Sequence, residues 1–464
     1  MPASRRSGFA SRPAAVRSCP RQAALMALKA IAGGSFADVA VDNTLTRSTL
    51  EPRDRRLATE LVYGCVRRQL TLDTLIDQLA TKPASHQPPD LRLILQIGLY
   101  QLRYLDQVPA SAAVDTTVEL AKNNGFQGLA GFVNGVLRQY VRQAEAIEGA
   151  DPLLVPDDFP EQWAVRHSLP AWIVGVWQEQ LLGVEVEALC NWLNQTPHLD
   201  LRVNPLRSSV DKVIKAFAEQ DIKVEPLSLP QGLRVQGAGK IQDLPGFEEG
   251  WWMVQDASAQ LVGHFLDPQP GEVVIDACAA PGGKTLHLAE LMEDRGRILA
   301  CDQTASRLRK LAANQARLGM QSIEVHSGDC RQWHPAELAD RVLLDVPCSG
   351  LGTLHRHADA RWRQSELTVK GLAGLQRELL EAATAWLKPG GILVYATCTL
   401  HPQENEQQIE AFLANHPDWS LVPPEAHSLA ADYACGPGWV KVWPQRANMD
   451  GFFMAKLRSP YMVD

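Results

Sequence analysis

Two cysteines stand where a thiol could take part in catalysis. Cys348 follows the apolar run Arg341–Asp345 within the sequence Asp-Val-Pro-Cys-Ser-Gly, and Cys398 follows the run Gly391–Thr397. Each run is typical of a buried parallel strand, and ligands of such sheets bind at the carboxyl ends of the strands. A lone cysteine is more often a small buried core residue. Two of them at strand ends, one close to an acid, favour a catalytic role instead.

Such a pair of thiols suits methylation of a pyrimidine at carbon 5. That carbon is a poor nucleophile, but a thiolate that adds to carbon 6 makes the ring enamine-like, so that carbon 5 can attack an electrophilic methyl group. An acid bonded to the N3 edge would stabilise the charge that the addition places on the ring, and Asp345 is placed for that role. The residue types leave open which thiol attacks.

A loop of small residues indicates a nucleoside cofactor. Asp276–Thr285 reads Asp-Ala-Cys-Ala-Ala-Pro-Gly-Gly-Lys-Thr and joins a predicted strand to a predicted helix. Asp302 ends the next strand, where an acid suits the two hydroxyls of a ribose. A phosphate-binding loop would need glycine at Cys278, and the dinucleotide pattern G-x-G-x-x-G is absent. A ribose acid without a diphosphate loop points to S-adenosylmethionine.

The elements that must position these residues alternate between strand and helix from about residue 251, which predicts a parallel α/β sheet. The predicted strands are 273–277, 297–302, 323–325, 341–345, 391–397 and 451–457. The predicted helices are 285–292, 305–318, 372–387 and 403–415, with Lys388–Gly391 closing the third of them.

The chain ahead of this sheet has a different pattern. Apolar residues at three- and four-residue steps in Leu91–Leu105 predict a helical bundle. Further on, short strands at 199–203, 222–224 and 233–236 with a helix at 210–219 predict a small α+β module. We expect a disordered basic tail over 1–19 (a transit peptide is the alternative), the bundle over 20–145, a linker over 146–160, the module over 161–250 and the α/β domain over 251–464.

Composition and charge narrow the class of protein. The sequence contains no stretch of eighteen apolar residues, so no membrane-spanning helix is predicted. Nine cysteines without a CxxC pair argue against a zinc ribbon and for a reducing cytoplasm. The net charge of −8 argues against a nucleic-acid partner, but basic and acidic residues are unevenly distributed along the chain. Residues 1–145 carry 18 basic and 12 acidic side chains, so the positive excess lies on the helical bundle.

Several motifs in one order carry a resemblance to a known family. They are Asp276–Thr285, Asp302, Gly328-Asp329, Asp345–Gly352, Tyr395–Leu400 and Asp450–Phe453. Together they resemble the NOL/NOP2/Sun (Fmu) family of RNA cytosine-5 methyltransferases, whose methyltransferase domain is Rossmann-like and of class I. The helical N-terminus resembles the NusB-type RNA-binding domain. The pairing resembles the bacterial 16S ribosomal RNA enzymes of the RsmB/Sun type.

The resemblance implies roles for single residues. It makes Cys398 the nucleophile, although Pro347-Cys348 fits the attacking cysteine of DNA cytosine-5 methyltransferases, and it gives Cys348 a part in product release. Asp345 would meet the cytosine N3 edge. The residues implied to line the S-adenosylmethionine site are Cys278, Ala279, Ala280, Pro281, Gly282, Gly283, Lys284, Asp302, Asp329 and Asp345. Val346 and Thr399 depart from the usual Ala and Ser without changing the chemistry.

The resemblance also implies partners. We expect 16S ribosomal RNA as the substrate, a monomer, and neither a metal nor a membrane. Leu201–Pro205 and Gln255–Ser258 are expected near RNA or cofactor, with a surface salt bridge as the alternative for Arg202. The basic residues expected to contact RNA, or else to form a solvated face, are Arg53, Arg55, Arg56, Arg67 and Arg68. Transfer RNA as substrate and a non-catalytic RNA-binding factor are the alternative functions.

Overall fold

A computed structural model describes residues 19–146, 151–237 and 239–461. Residues 1–18 of the expected basic tail and 147–150 of the expected linker lie outside the described residues. The chain forms two compact units. Unit 1 is formed by residues up to Val174 together with His357–Asp359, and unit 2 by Gly175–Arg356 together with the chain from Ala360 onward.

Unit 1 is helical, as predicted. Its helices are α1 Pro20–Ala32, α2 Ala37–Thr46, α3 Pro52–Arg67, α4 Gln69–Leu79, α5 Pro89–Tyr104, α6 Ala110–Asn123, α7 Ala130–Ala146 and α8 Glu161–His167, and α9 Ala171–Gln178 contains the division between the units. The apolar face of α5 is buried at Leu91, Ile94 and Leu95. Gly64 allows α3 to approach α5, because a Cβ there would lie 2.0 Å from the Tyr100 ring.

Unit 2 contains the predicted α+β module, but residues 161–174 of its predicted range 161–250, including α8, belong to unit 1. After α10 Gly183–Trp192, the elements are β1 Leu199–Val203, α11 Val210–Ala218, β2 Lys223–Pro226, β3 Gly232–Gln236 and β4 Trp252–Val254. The four strands form an antiparallel sheet in the order β2-β3-β1-β4. Phe217 of α11 packs edge-on against Trp252 of β4, with ring centroids 6.0 Å apart, in the core that the helix and sheet share.

The rest of unit 2 confirms the predicted α/β sheet and its Rossmann-like class. Its helices and strands are α12 Ala257–Leu266, β5 Val273–Ala277, α13 Gly283–Leu291, β6 Arg297–Asp302, α14 Ala305–Leu318, β7 Ile323–Ser327, β8 Ala339–Asp345, α15 Ala360–Arg363, α16 Glu366–Ala383, β9 Leu387–Thr397, α17 Glu406–Asn415, β10 Ser420–Leu421, β11 Ala434–Cys435, β12 Trp439–Val442, α18 Pro444–Ala447 and β13 Phe452–Arg458. The sheet order is β11-β12-β13-β9-β8-β5-β6-β7, with β10 on β13. β5 to β9 are parallel, and β13 is antiparallel to β9.

Helices cover both faces of this sheet. Successive residues of a strand point to opposite faces. Val274 accordingly belongs to the core cluster beneath α12, α13 and α14, and Ile275 to the cluster beneath α16 and α17. Burial of each large apolar side chain there contributes about 1.5–3 kcal/mol. The two cores fix the strands, and therefore the loops at their carboxyl ends.

Both predicted ends of the helix 372–387 were wrong, because α16 spans Glu366–Ala383. Lys388–Gly391 was expected to close a helix, but α16 ends at Ala383 and these residues lie within β9. The segment looks like a turn because Pro and Gly usually end elements. Here the segment extends β9. The pairing of β9 with β8 is irregular between Ala339 and Arg341 of β8, and Gly390 adopts φ +75°.

No helix among the described residues is long and apolar enough to cross a membrane.

Candidate active site

A cavity of about 730 Å³ opens at the carboxyl ends of the parallel strands in unit 2. Seven of the residues singled out from the sequence line it. These are Cys278, Ala280, Asp302, Asp329, Asp345, Cys348 and Cys398. The cavity volume is in the range of sites that enclose a nucleoside-sized ligand.

The loop between β5 and α13 is held by backbone contacts. The N–H of Ala279 donates to Cys301 O (2.9 Å), and the guanidinium of Arg307 donates to Ala280 O (2.7 Å). Gly282 has φ +104°, and a Cβ there would lie 2.7 Å from Cγ of Leu311. Only glycine fits this turn, so the loop can pass close over α14.

Asp302 shapes the same loop. Its carboxylate accepts the N–H of Ala280 (3.2 Å) and the N–H of Thr304 (2.7 Å). The carboxylate therefore sits at the cavity wall with one oxygen on the small-residue loop and one on the start of α14. A ribose hydroxyl that bonds to it would meet an acceptor whose orientation is already fixed.

Asp329 forms a salt bridge with Arg331, two residues along the chain. The guanidinium of Arg331 donates from Nε (3.0 Å) and Nη2 (2.6 Å) to the Asp329 carboxylate, and from Nη1 to Glu378 of α16 (2.5 Å). Hydrogen bonding to Arg331 lowers the pKa of Asp329. All three side chains line the cavity, so Arg331 spans its rim from β7 toward α16.

Asp276 lies beneath the loop and is fully enclosed. Its Oδ2 accepts the hydroxyl of Thr285 (2.6 Å), while its Oδ1 has no hydrogen-bond partner among the described residues. Burial raises its pKa to about 7, and the Thr285 hydrogen bond only partly opposes this. Asp276 therefore supports the loop from below and does not line the cavity.

The two cysteines meet across the sheet edge. Sγ of Cys348 lies 3.3 Å from Sγ of Cys398, so one thiol donates to the other sulfur. This hydrogen bond lowers the pKa of Cys398 and raises that of Cys348. The Lys284 ammonium also favours the Cys398 thiolate. Cys398 is therefore the more acidic of the two thiols and the one whose sulfur is favoured as the nucleophile.

Lys284 connects the loop to the cysteines. Its Nζ lies 2.7 Å from Oδ2 of Asp345 and 5.0 Å from the centroid of the Phe452 ring. Burial by itself would lower the pKa of Lys284, but the Asp345 carboxylate outweighs it and the pKa is raised. The ammonium therefore stays charged beside Cys398.

Glu404 ties the two cysteine loops together, and the sequence reasoning missed it. Its carboxylate accepts the N–H (2.8 Å) and the hydroxyl of Ser349, which also contacts the Thr399 hydroxyl (2.7 Å). Gln376 of α16 donates to both Glu404 (3.0 Å) and Pro347 O (2.9 Å). Burial raises the pKa of Glu404, although these hydrogen bonds oppose it. The only sequence signal was the polar run Gln403–Asn405 directly after the cysteine loop.

Arg202 lies against the small-residue loop that is expected to bind the cofactor, and the alternative of a surface salt bridge was wrong. It is fully buried and not a surface residue, and it pairs through Nε and Nη2 with Glu290 of α13 (2.7 and 2.9 Å). Its Nη1 donates to Gly283 O (2.8 Å) and to the side chain of Gln255. The α+β module is therefore bonded directly to the residue before Lys284.

The structure separates the other loop residues from the cavity wall. Ala279, Pro281, Gly282, Gly283 and Lys284 shape or support the wall without being part of it. Sequence reasoning also missed the opposite wall, formed by α16. Its lining residues are Gly371, Gly374, Leu375, Glu378 and Leu379. The signal that could have found it is the pair of glycines inside a helical pattern.

Among the described residues, no group of three or more His, Cys, Asp or Glu side chains is arranged to hold a metal ion. The polar lining includes four carboxylates, those of Asp302, Asp329, Asp345 and Glu378, and two guanidinium groups, those of Arg307 and Arg331. The carboxylates outnumber the guanidinium groups, so the lining carries a net negative charge. Such a wall suits a ligand that carries ribose hydroxyls and a positive charge.

Comparisons with known families match each part of the chain. Residues 263–458 match the family described as 16S rRNA methyltransferase RsmB/F. Residues 18–142 match the NusB family, and residues 169–242 match the ferredoxin-like domain of RsmF/B-like methyltransferases. The three matches follow the order of the helical unit, the α+β module and the α/β sheet.

Whole-chain relatives are also known. A Synechocystis sp. protein named "Probable ribosomal RNA small subunit methyltransferase B" is 51% identical over 446 residues, covering 95% of this chain and 99% of the relative. The Sodalis glossinidius "Ribosomal RNA small subunit methyltransferase B" is 39% identical, covering 89% and 91%. The crystal structure of PH0851 superposes with a TM-score of 0.78 at 28% identity, covering 95% and 99%. NSun6 from Pyrococcus horikoshii has a similar fold, with a TM-score of 0.56 at 24% identity, covering 62% and 98%.

Proposed function

Because the chain belongs to the 16S rRNA methyltransferase RsmB/F family, a bacterial group of small-subunit ribosomal RNA methyltransferases, we propose that it methylates carbon 5 of one cytosine in 16S ribosomal RNA. The reaction proceeds through a covalent bond between Cys398 and carbon 6 of the base. The observation that carries this proposal is the 3.3 Å approach of two thiols beside Asp345 and Lys284.

The cavity suits S-adenosylmethionine as the methyl donor. Asp302 offers a fixed carboxylate for the ribose hydroxyls, and Cys278 to Lys284 form the loop on which the nucleoside would lie. Asp329 and Asp345 add acceptors on the same wall. When bound, S-adenosylmethionine supplies an electrophilic methyl group on a positively charged sulfur. The acidic wall favours such a cation.

Cys398 and Asp345 activate the cytosine. The Cys398 thiolate forms a bond to carbon 6, and the electron pair of the carbon 5–carbon 6 double bond becomes available at carbon 5. When N3 has taken a proton from solvent, its N–H donates to the Asp345 carboxylate, and the positively charged ring accepts the electron pair more readily. Lys284 holds Asp345 through the 2.7 Å contact, and its charge favours the thiolate form of Cys398.

Release of the methylated base breaks the bond between Cys398 and carbon 6. Carbon 5 loses its proton to a base, the carbon 5–carbon 6 double bond re-forms, and the Cys398 thiolate leaves carbon 6. Cys348 lies 3.3 Å from the departing sulfur and carries the proton that the pair shares. We assign Cys348 to this step because it can stabilise the leaving thiolate through the same hydrogen bond.

The two cysteines have different expected phenotypes. Cys398→Ala abolishes methyl transfer to an unmodified 16S transcript, whereas Cys348→Ala accumulates a protein–RNA adduct that survives denaturing electrophoresis. Cys190→Ala, which changes a buried cysteine of α10, serves as the matched control. An adduct that formed with Cys398→Ala and not with Cys348→Ala would exchange the two roles.

A second experiment fixes the substrate. Bisulfite sequencing of ribosomal and transfer RNA from a strain that lacks the gene should reveal one unmodified cytosine in 16S ribosomal RNA. Loss of 5-methylcytosine from transfer RNA alone would overturn the assignment of the substrate while retaining the chemistry. Intact methylation of both RNAs, together with no binding of S-adenosylmethionine in calorimetry, would support a non-catalytic RNA-binding factor.

A further inference from the structure

The exposed face of α16 leaves open space beside the two cysteines. Gly371 and Gly374 lie inside this 18-residue helix and line the same cavity as Cys348 and Cys398. A Cβ at either glycine would meet no atom within 4 Å, so packing within the protein does not require glycine there. Glycine is the least favourable helix residue apart from proline. These positions therefore allow something outside the protein to approach the helix backbone closely.

Two cations without partners flank this open stretch. Lys370 and Arg377 are exposed, and neither side chain makes a hydrogen bond or an ion pair within the described part of the chain. Both line a second cavity of about 280 Å³, together with Gln403, Gln407 and Gln408. Gly374 lines both cavities, so the second lies next to the cysteine site.

The nearby acids form no ion pair with these cations, and this includes Glu366, one turn before Lys370, and Glu410 of α17. Glu378 pairs with Arg331 at 2.5 Å. Glu381 is hydrogen-bonded to His416 at 2.9 Å. On α17, Glu406 is held by Lys441 at 2.6 Å. The groove therefore presents positive charge within a unit whose sequence is otherwise acidic, and an anion is the ligand that it favours.

Gln408 adds an independent sign of a ligand. Only 3% of the residue is exposed, and its Nε2 donates to Gln403 O (2.7 Å). Its Oε1 has no hydrogen-bond partner among the described residues. Buried amide oxygens are normally satisfied, and this one belongs to a residue that lines the groove. The oxygen itself is inaccessible, so a hydroxyl group of a ligand, such as the 2′-hydroxyl of a ribose, would bond to it only after the amide turns toward the groove.

We propose that the groove formed by Lys370, Gly374, Arg377, Gln403, Gln407 and Gln408 binds the sugar–phosphate backbone of the RNA strand next to the target cytosine. This inference rests on the proposed function. Lys370 and Arg377 are seven residues apart, about 10 Å along the helix axis, so they contact different phosphates of the strand. Between them, Gly374 lets the strand approach α16, and Gln408 accepts from a 2′-hydroxyl.

The direct test is the double variant Lys370→Gln/Arg377→Gln in the full chain. The probe is an unmodified 16S ribosomal RNA transcript, with Kd measured by filter binding from 50 to 200 mM salt. We expect Kd to rise about tenfold at the lowest salt, and the slope of log K against log salt to fall by about 1.4, the contribution of two phosphates of a single strand. Arg309→Gln/Lys310→Gln on exposed α14 removes the same charge and should leave both quantities unchanged within twofold.

A second variant separates the groove from a folding defect. Gly374→Ala removes the cost of a helical glycine, so we expect Tm to rise by about 2 °C while the affinity for the transcript falls. Opposite signs for stability and affinity cannot come from misfolding. An unchanged Kd in both groove variants would overturn the inference.

Two further measurements separate RNA binding in the groove from cofactor binding and from methyl transfer. The affinity for S-adenosylhomocysteine, measured by calorimetry, should be the same in the double variant as in the unaltered chain. If it fell instead and the affinity for RNA did not, the cations would serve the cofactor. Methyl transfer by the unaltered chain tests the proposed function separately, because Kd for the transcript reports on the groove whether or not transfer occurs.

Discussion

Glu404 accepts two hydrogen bonds from Ser349, one from its backbone N–H at 2.8 Å and one from its hydroxyl, across 55 residues of sequence. Ser349 directly follows Cys348, and Glu404 lies just beyond the loop that carries Cys398. The carboxylate therefore sets the distance between the two sulfurs without touching either. In the proposed reaction Glu404 is a positioning residue.

We expect Glu404→Ala to lower the free energy of unfolding by about 3 kcal/mol, because it leaves the buried Ser349 N–H without an acceptor. Glu404→Gln keeps one acceptor oxygen and should cost about 1 kcal/mol. Urea denaturation measures both, and Glu410→Gln on the exposed side of α17 is the control.

A merely structural role for Glu404 would not change the acidity of the thiols. The negative charge of Glu404 raises the pKa of Cys348. Glu404→Gln should therefore increase the rate at which iodoacetamide alkylates the cysteine pair near pH 6. An unaltered alkylation profile would contradict the positioning role.

Lys284→Met should suppress the nucleophile. The ammonium favours the Cys398 thiolate and holds Asp345, so its removal raises the pKa of Cys398. We expect the pH at which iodoacetamide alkylation of Cys398 is half-maximal to rise by about one unit, followed by peptide mass spectrometry. Lys388→Met removes an ammonium at the other end of β9 and should leave the profile in place. Equal profiles for the two variants would show that Lys284 does not act on the sulfur.

Arg202→Met should destabilise unit 2 by about 3–5 kcal/mol, because it leaves the Glu290 carboxylate charged and buried without its partner. The double variant Arg202→Met/Glu290→Leu should recover most of this loss, since a well-packed apolar pair can replace a buried ion pair. The double variant still lacks the bond to Gly283 O, so its affinity for S-adenosylhomocysteine should remain lower than that of the unaltered chain. Full recovery of that affinity would restrict Arg202 to a stabilising role.

The raised pKa of the buried Asp276 carboxyl group predicts that the free energy of unfolding falls as the pH rises. Its pKa is raised from 3.8 to about 7 by burial, so the folded chain keeps a proton that the unfolded chain loses near pH 4. This contribution to stability is complete below pH 4 and is lost as the pH rises through 7. At 1.36 kcal/mol per pH unit the loss is on the order of 4 kcal/mol.

The measurement is urea denaturation of Asp276→Asn at pH 4.5 and pH 8. The variant should match the unaltered chain at the lower pH and exceed its stability at the higher pH, because asparagine never acquires the buried charge. Asp418→Asn, on an exposed loop, removes one acid without this effect. A constant difference at the two pH values would contradict a proton on Asp276.

Local patterns predicted the parallel part of the sheet closely. Val273–Ala277, Arg297–Asp302 and the helix Ala305–Leu318 have the predicted bounds, because alternating or helical spacing of apolar residues is a property of short windows. The small-residue loop and the two cysteine loops were found for the same reason. Each combines residue types that only a tight turn at a strand end requires.

Contacts between distant residues could not be predicted in this way. The bond from Ser349 to Glu404 spans 55 residues and that from Arg202 to Glu290 spans 88. Neither partner belongs to a local pattern, and the pairing arises only when the sheet and its helices are assembled. The short strands β4, β10, β11 and β12 were missed as well, because two to four residues are too few to show a period.

The antiparallel strand β13 has a consequence for synthesis of the protein. Gly451, just before this strand, donates to Gly352 O (2.8 Å), and Gly352 donates to Cys398 O (3.0 Å). Gly451 follows Cys398 by 53 residues. Both cysteines are therefore translated before the segment that holds their loops. A chain that stops before β13 therefore contains both thiols but lacks the hydrogen bond from Gly451 that holds their loops together.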